Sequence, residues 1–101
     1  MQLNLVKLTF KNSEPTYAVI SANDLDRIKS QLNGNRDPKG ELLEYAPAIT
    51  TDMTEQSGVY YVPKEGSLQG SNVYAKMSDI ARISMIIENV RIDHNGLTSK
   101  M

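Results

Sequence analysis

The sequence predicts an α+β fold: a small antiparallel β-sheet or partly open barrel of about six short strands, with one short helix after an N-terminal hairpin. Three observations predict it. Runs rich in Val, Ile, Thr and Tyr recur about every 8–14 residues, separated by Gly, Pro, Asn and Asp. One segment follows a helical period, and two distant segments repeat the same pattern of strand and polar corner.

The N-terminal hairpin consists of predicted strands over residues 3–11 and 16–21, joined by the turn residues of 12–15. Leu5 lies on the opposite face of the first strand from Val6, so we expect both faces to be covered there. By the two-residue period, the face of Val6 also carries Asn4, Leu8 and Phe10.

A short amphipathic helix is predicted over residues 22–32, because its aliphatic residues recur at i, i+3 and i+7. Ser21 or Asn23 is suited to cap its start, and Gly34 to end it. The recurring positions are Leu25, Ile28 and Leu32.

In the middle of the chain, the sequence pattern leaves the type of one element undecided between helix and strand. Residues 41–45 (ELLEY) fit either one more helical turn or the opening of a strand, and Pro47 then interrupts the pattern. The β-branched content predicts a strand over residues 48–53, followed by a turn over 54–58. Residues 59–62 (VYYV) are a further predicted strand.

In the last third, strands are predicted over residues 73–77, 82–87 and 90–93, with a corner at Ser78-Asp79. A helix through the aliphatic positions of 80–90 is the rival interpretation, but the recurrence of β-branched Ile favours a strand. We expect one domain over residues 1–93 and a flexible tail over 94–101. The pattern of residues 73–87 resembles the closing strands of small SH3-like barrels.

The two repeated segments are residues 17–28 (YAVISANDLDRI) and residues 74–83 (YAKMSDIARI). Each contains Tyr-Ala, a corner Ser, an Asp, an aliphatic residue and Arg-Ile, and the second is two residues shorter between Ser and Asp. We expect both to reverse the chain around one sheet-dominated interior.

Composition limits the class of protein. The chain has 101 residues, of which 40% are hydrophobic and 23% are charged, and this composition fits one globular domain. A core of this modest size gives a small stability margin, which self-association would increase. A net charge of −1 lacks the basic excess expected of a protein that holds nucleic acid mainly through its phosphates, so a nucleic-acid partner is not expected. Early charge at Lys7 and the lack of a long apolar run predict a cytoplasmic protein without membrane association.

The residue types used by most enzymes are missing or unfavourably placed. The single histidine, His94, lies in the predicted tail, and the chain has no cysteine. The pair Asp24 and Asp26 is explained by a helix start, and the pair Glu41 and Glu44 by the wet side of a short amphipathic element. We therefore expect no enzymatic activity, no metal and no cofactor.

A glycine-rich loop over residues 66–72 (GSLQGSN) is the best candidate for an anion site. Its glycines free the backbone to aim N–H groups at a phosphate, its serines add hydroxyls, and two lysines flank it. A small phosphate-bearing ligand is one hypothesis and a plain hairpin connection is the other, because the Gly-Lys-Ser/Thr ending of a P-loop is absent. The candidate ligand-binding residues are Lys64, Gly66, Ser67, Gly70, Ser71 and Lys76.

Two adjacent tyrosines, Tyr60 and Tyr61, are the candidate protein interface. On a strand, one of them must face away from the core if the other faces in. The outward ring can stack on a base or anchor a protein partner, and an ordinary cross-strand aromatic pair is the alternative.

Residues 6–29 (VKLTFKNSEPTYAVISANDLDRIK) resemble the strand–turn–strand–helix segment of Phd/YefM-type antitoxins. The resemblance implies a DNA-binding regulator, and it covers about a quarter of the chain. The C-terminal half departs from the family, because it is predicted as strands where the family has a toxin-wrapping tail. The matching residues are Asn12, Pro15, Val19, Ile20, Ser21, Asp24, Leu25 and Arg27.

The favoured hypothesis is a small non-catalytic protein-interaction module that acts by binding and forms a homo-oligomer through a strand edge or an aromatic face. An inhibitor or regulator of a host factor, encoded by a phage or mobile element, fits this description. The alternatives are a phosphate- or nucleotide-binding protein that uses loop 66–72 and an antitoxin-like DNA-binding regulator.

Overall fold

The computed structural model describes residues 2–63 and 72–93, which form eight strands, one α-helix and one 3₁₀ turn. The predicted α+β class is confirmed, in the form of open sheets rather than a closed barrel. In chain order the elements are β1 (Leu3–Phe10), β2 (Thr16–Ser21), α1 (Ala22–Leu32), β3 (Leu42–Pro47), β4 (Thr54–Gln56), β5 (Val59–Pro63), β6 (Val73–Lys76), the 3₁₀ turn (Met77–Asp79), β7 (Ile80–Ile87) and β8 (Val90–Asp93).

The strands form two sheets. The larger has the order β6-β3-β2-β1-β7, and all its neighbouring strands are antiparallel. The smaller has the order β4-β5-β8, in which β5 and β8 run parallel. β6 and β7 are therefore the edge strands of the larger sheet, and the 3₁₀ turn connects them in sequence.

Buried side chains form two hydrophobic clusters that share β1. The first cluster contains Val6 and Leu8 of β1 together with Leu25 and Ile28 of α1. The second contains Leu5 of β1 and buried residues of the small sheet, among others. The prediction that β1 is covered on both faces is confirmed, and each fully buried aliphatic side chain contributes roughly 1.5–3 kcal/mol.

Of the polar and charged residues that the structure describes, Asn4 is the one that is buried. Its Oδ1 accepts a hydrogen bond from the backbone N–H of Asn89 at 3.1 Å and one from Nε2 of Gln2 at 3.0 Å. Asn89 has a φ of 64°, in the left-handed region that Asn tolerates, and lies between β7 and β8. Asn4 thus ties this tight turn to β1, and the side-chain carbonyl of Asn4 is satisfied.

The helix has the predicted bounds and start. Oγ of Ser21 accepts a hydrogen bond from the backbone N–H of Asp24 at 3.2 Å, as an N-cap does. Leu25 and Ile28 are buried, whereas Leu32 at the end of α1 is exposed. No helix of the described residues is long and apolar enough to cross a membrane.

Two predictions in the middle of the chain are wrong. Residues 48–53 do not form the predicted strand. The strand in this part of the chain is β3, which lies earlier because its residues pair with both β2 and β6. The predicted turn over 54–58 begins instead with β4, and only Ser57 and Gly58 make the turn, both at positive φ. The strand over residues 82–87 is confirmed as part of β7, so the rival helix is excluded.

Candidate functional site

Exposed large hydrophobic side chains collect at the two edges of the larger sheet. Among the described residues there are seven, of which five lie on β3, β6 and β7. Val73 and Tyr74 lie on the edge strand β6, Leu42 lies on the adjacent strand β3, and Met85 and Ile86 lie on the edge strand β7. Tyr74 is the most exposed of them, at 64%. Because exposed apolar side chains on edge strands can pack against another chain, these edges are candidate interaction surfaces.

A groove of about 460 Å³ lies beside β6, and we call it the aromatic groove. Three of the six aromatic residues of the chain line it, with polar and charged side chains around them. Its volume falls within the range of ligand-binding clefts. The lining residues are Phe10, Asn12, Ser13, Tyr45, Tyr74, Ala75, Lys76 and Asp79.

The three aromatic residues of the groove come from three different strands. Phe10 ends β1 and Tyr45 lies on β3, and their ring centroids are 6.4 Å apart, within the distance range of interacting aromatic pairs. Both pack against the first hydrophobic cluster, so the floor of the groove is held by the core. Tyr74 lies on β6 and leaves most of its ring in solvent.

Backbone hydrogen bonds fix the 3₁₀ turn at one end of the groove. The N–H of Lys11 donates to the carbonyl of Asp79 at 2.9 Å, and the N–H of Met77 donates to the carbonyl of Glu41 at 3.0 Å. Met77 itself is fully buried. The end of β1, the start of β3 and the exit of β6 are therefore held together, and the lining of the groove is pre-organised.

Lys76 lacks an ion-pair partner among the described residues. Glu41 lines a neighbouring cleft of about 230 Å³ together with Lys76, but its carboxylate accepts hydrogen bonds from Arg36 and, at 2.8 Å, from Arg27. Glu44 on β3 accepts instead from Nδ2 of Asn72 at 3.3 Å. Within residues 2–63 and 72–93, therefore, no carboxylate forms an ion pair with Lys76.

The two arginines also perturb Glu41. Hydrogen bonds from Arg36 and then from Arg27 hold the pKa of the Glu41 carboxyl below its usual value. Arg27 also donates to Oδ1 of Asp24 at 2.7 Å, and its own pKa is raised, chiefly by the hydrogen bond to Glu41. These ion pairs link α1 to the segment before β3, so they stabilise the fold.

The residues predicted as a phosphate site are only partly placed by the structure. Lys76 lies in the aromatic groove. The other five candidates lie outside the described residues: Lys64, Gly66, Ser67, Gly70 and Ser71. The predicted tail over 94–101, with His94, also lies outside them.

The predicted interface residues Tyr60 and Tyr61 are both half-buried in β5, the middle strand of the small sheet. Tyr60 packs against the second hydrophobic cluster and lies opposite Glu55 and Val90. The exposed tyrosine beside a groove is Tyr74, which the sequence does not predict as an interface residue. A signal for it was present: Tyr74 alternates with Lys76 in a short strand, so both belong to one face.

The side chains that could ligate a metal ion are the next feature of the site. The described residues contain no group of three His, Asp or Glu side chains that could hold a metal ion. Asp24 and Glu41 are occupied by arginines, as described above.

No known protein family, no curated protein and no solved structure matches this chain. The candidate site is therefore defined by its geometry: an aromatic groove, a strand edge and a lysine that makes no ion pair with a described residue.

Proposed function

We propose that this chain is a non-catalytic binding module that holds a protein partner in the aromatic groove. One observation carries the proposal: the exposed Tyr74 and the core-supported Phe10 and Tyr45 are lining residues of a single groove beside a strand edge. Tyrosine combines a rigid apolar ring with a hydroxyl and is enriched among residues that dominate protein interfaces.

The strand edge supports an extended peptide as the bound segment. Among the described strands, β6 pairs only with β3. In an antiparallel ladder alternate residues direct their N–H and C=O groups to opposite sides, so about half of the residues of β6 present theirs to the free edge. A partner segment that adds as a strand would satisfy these groups and place its alternate side chains along the aromatic groove.

Selection from a displayed library of random peptides tests this proposal. We expect peptides whose affinity falls about tenfold or more when Tyr74→Ser removes the exposed ring, because a central aromatic anchor contributes about 2 kcal/mol or more. Tyr17→Ser is the matched control, since Tyr17 is also exposed but does not line the groove. A selection that returns no binder dependent on Tyr74 contradicts the proposal.

The other edge strand supports self-association, the second part of the proposal. Among the described strands, β7 pairs only with β1, and Met85 and Ile86 are exposed on it. If two copies pair antiparallel with Ser84 opposite itself, Ile83 lies opposite Met85 of the second copy. Both face the side of the first cluster, since they pair with Leu8 and Val6 of β1.

Light scattering coupled to size exclusion tests self-association. We expect a dimer at high micromolar concentration that Met85→Lys shifts to monomer, because a charge on an edge strand opposes pairing. Leu42→Lys, a similar change at an exposed position of β3, is expected to leave the dimer intact. A strict monomer, or an equal loss of dimer in both variants, contradicts pairing through β7.

The rival small-ligand hypothesis retains one described residue, Lys76, and a groove with aromatic walls supports a peptide side chain as well as a base. We favour the protein partner because the strand edge adjoins the groove. A cytoplasmic inhibitor or regulator of a host factor remains a prediction for the role of this module.

A further inference from the structure

The charges along the aromatic groove indicate which peptide fits it. Lys76 lies on β6 and Asp79 lies further along the chain, in the 3₁₀ turn, and both line the groove. Neither side chain makes an ion pair with a described residue. The groove therefore offers, in order, an aromatic ring, a positive charge and a negative charge.

We propose that the groove binds an extended segment of a partner protein with the pattern basic–x–acidic–x–apolar, added antiparallel to β6. This inference rests on the proposed function of the groove. An antiparallel strand runs opposite to β6, so the residue opposite Lys76 precedes the one opposite Tyr74. The acidic residue then meets Lys76, and the apolar residue two positions later packs on the ring of Tyr74.

The basic residue lies two positions before the acidic one and on the same side of the added strand, towards Asp79. Of the carboxylates near Lys76, Glu41 is held by two arginines, Glu44 accepts from Asn72, and Asp79 makes no ion pair with a described residue. An incoming acidic residue therefore meets an ammonium group with which no described carboxylate pairs. The antiparallel direction follows the larger sheet, whose strand pairs are all antiparallel.

Two peptides of identical composition test the order of charges. The probe is acetyl-Thr-Lys-Thr-Glu-Thr-Leu-Thr-amide, and the control exchanges its Lys and Glu. Both carry a fluorophore and are titrated by fluorescence anisotropy up to about 1 mM of the whole protein. We expect the probe to bind about fivefold to tenfold more tightly, because the exchange turns two surface attractions of up to about 1 kcal/mol each into repulsions.

Variants of the protein make the test specific. The double variant Lys76→Glu with Asp79→Lys is expected to prefer the control peptide, whereas Lys29→Glu, on the exposed side of α1, keeps the original preference. Equal binding of both peptides that still depends on Tyr74 overturns the charge order and leaves the proposed function standing. If neither peptide binds while library peptides bind in a Tyr74-dependent manner, the charge order is likewise overturned and the proposed function stands. The inference is also overturned if the double variant keeps the preference for the probe.

Discussion

Residues 17–28 and 74–83 share a residue pattern and fold differently. In the first, the strand ends at Ser21 and an eleven-residue helix begins. In the second, the strand ends at Lys76, a single 3₁₀ turn follows and the chain continues as β7. The same sequence of residue types therefore marks a change of direction in both places, but it does not determine which element comes next.

The spacing between Ser and Asp explains much of the difference. In the first segment the hydroxyl of Ser21 accepts from the N–H of Asp24, three residues later, which starts a helix. In the second segment Asp79 follows Ser78 directly, and the 3₁₀ turn has no side-chain cap. The β-branched residues after it then favour a strand, and β1 supplies the partner for it.

The aliphatic residue after each Asp should give the largest effect. Leu25 and Ile80 hold equivalent places in the two segments, and both are buried in the first cluster. We expect Leu25→Ala and Ile80→Ala each to lower the free energy of unfolding by about 2–5 kcal/mol. Denaturant titration measures this, and a loss below about 1 kcal/mol in either variant would show that its segment does not anchor the cluster.

The two corner serines should differ. Ser21→Ala removes the helix cap and is expected to lower the free energy of unfolding by about 1 kcal/mol. Ser78→Ala is the matched control: Ser78 is exposed and caps nothing, so we expect a change within about 0.5 kcal/mol. Equal losses in denaturant titrations of the two variants would contradict the assigned role of the cap.

Substitution of the two equivalent arginines, Arg27 and Arg82, should give the smallest difference in the free energy of unfolding. This difference should depend on pH. Arg27 bonds to Glu41 and Asp24, whereas Arg82, its equivalent, is exposed on β7 without an ion pair among the described residues. The folded-state pKa of Glu41 is lowered, so its stabilising contribution is complete above the unfolded pKa of about 4.3 and is lost as the pH falls through the folded-state value.

We therefore expect Arg27→Met to destabilise the protein at pH 7 and to lose that effect in acid, while Arg82→Met changes little at either pH. Denaturant titrations at several pH values measure this. An Arg27→Met effect that is the same at neutral and acid pH would show that the contact is not electrostatic.

The elements defined by strong local signals were predictable from the sequence. The α1 bounds follow from a cap, a helical period and an Asn-Gly stop, and β7 follows from its recurring Ile. The segment containing β3 was ambiguous, because ELLEY satisfies both periods over so few residues and its pairing with β6 decides the outcome. The three residues of β4 carry no alternating pattern to detect.

The groove was less predictable than the fold. The sequence predicts Lys76 as a ligand-binding residue, but of a loop site rather than of a groove. Phe10, Tyr45 and Tyr74 come from distant parts of the chain, and only the packing of the larger sheet brings them into one groove. A single sequence contains no signal for such a juxtaposition, since each of these residues is locally an ordinary strand aromatic.

The pairing of β1 with β7 has a consequence for biosynthesis. Leu5 and Ile87, near opposite ends of the described chain, are neighbours in the sheet. A nascent polypeptide cannot complete this ladder until residues 80–87 have left the ribosome, and closing so long a loop carries an entropic penalty that slows folding. Until then one side of β1 lacks its partner strand, so crowding by other nascent chains is most hazardous during this interval.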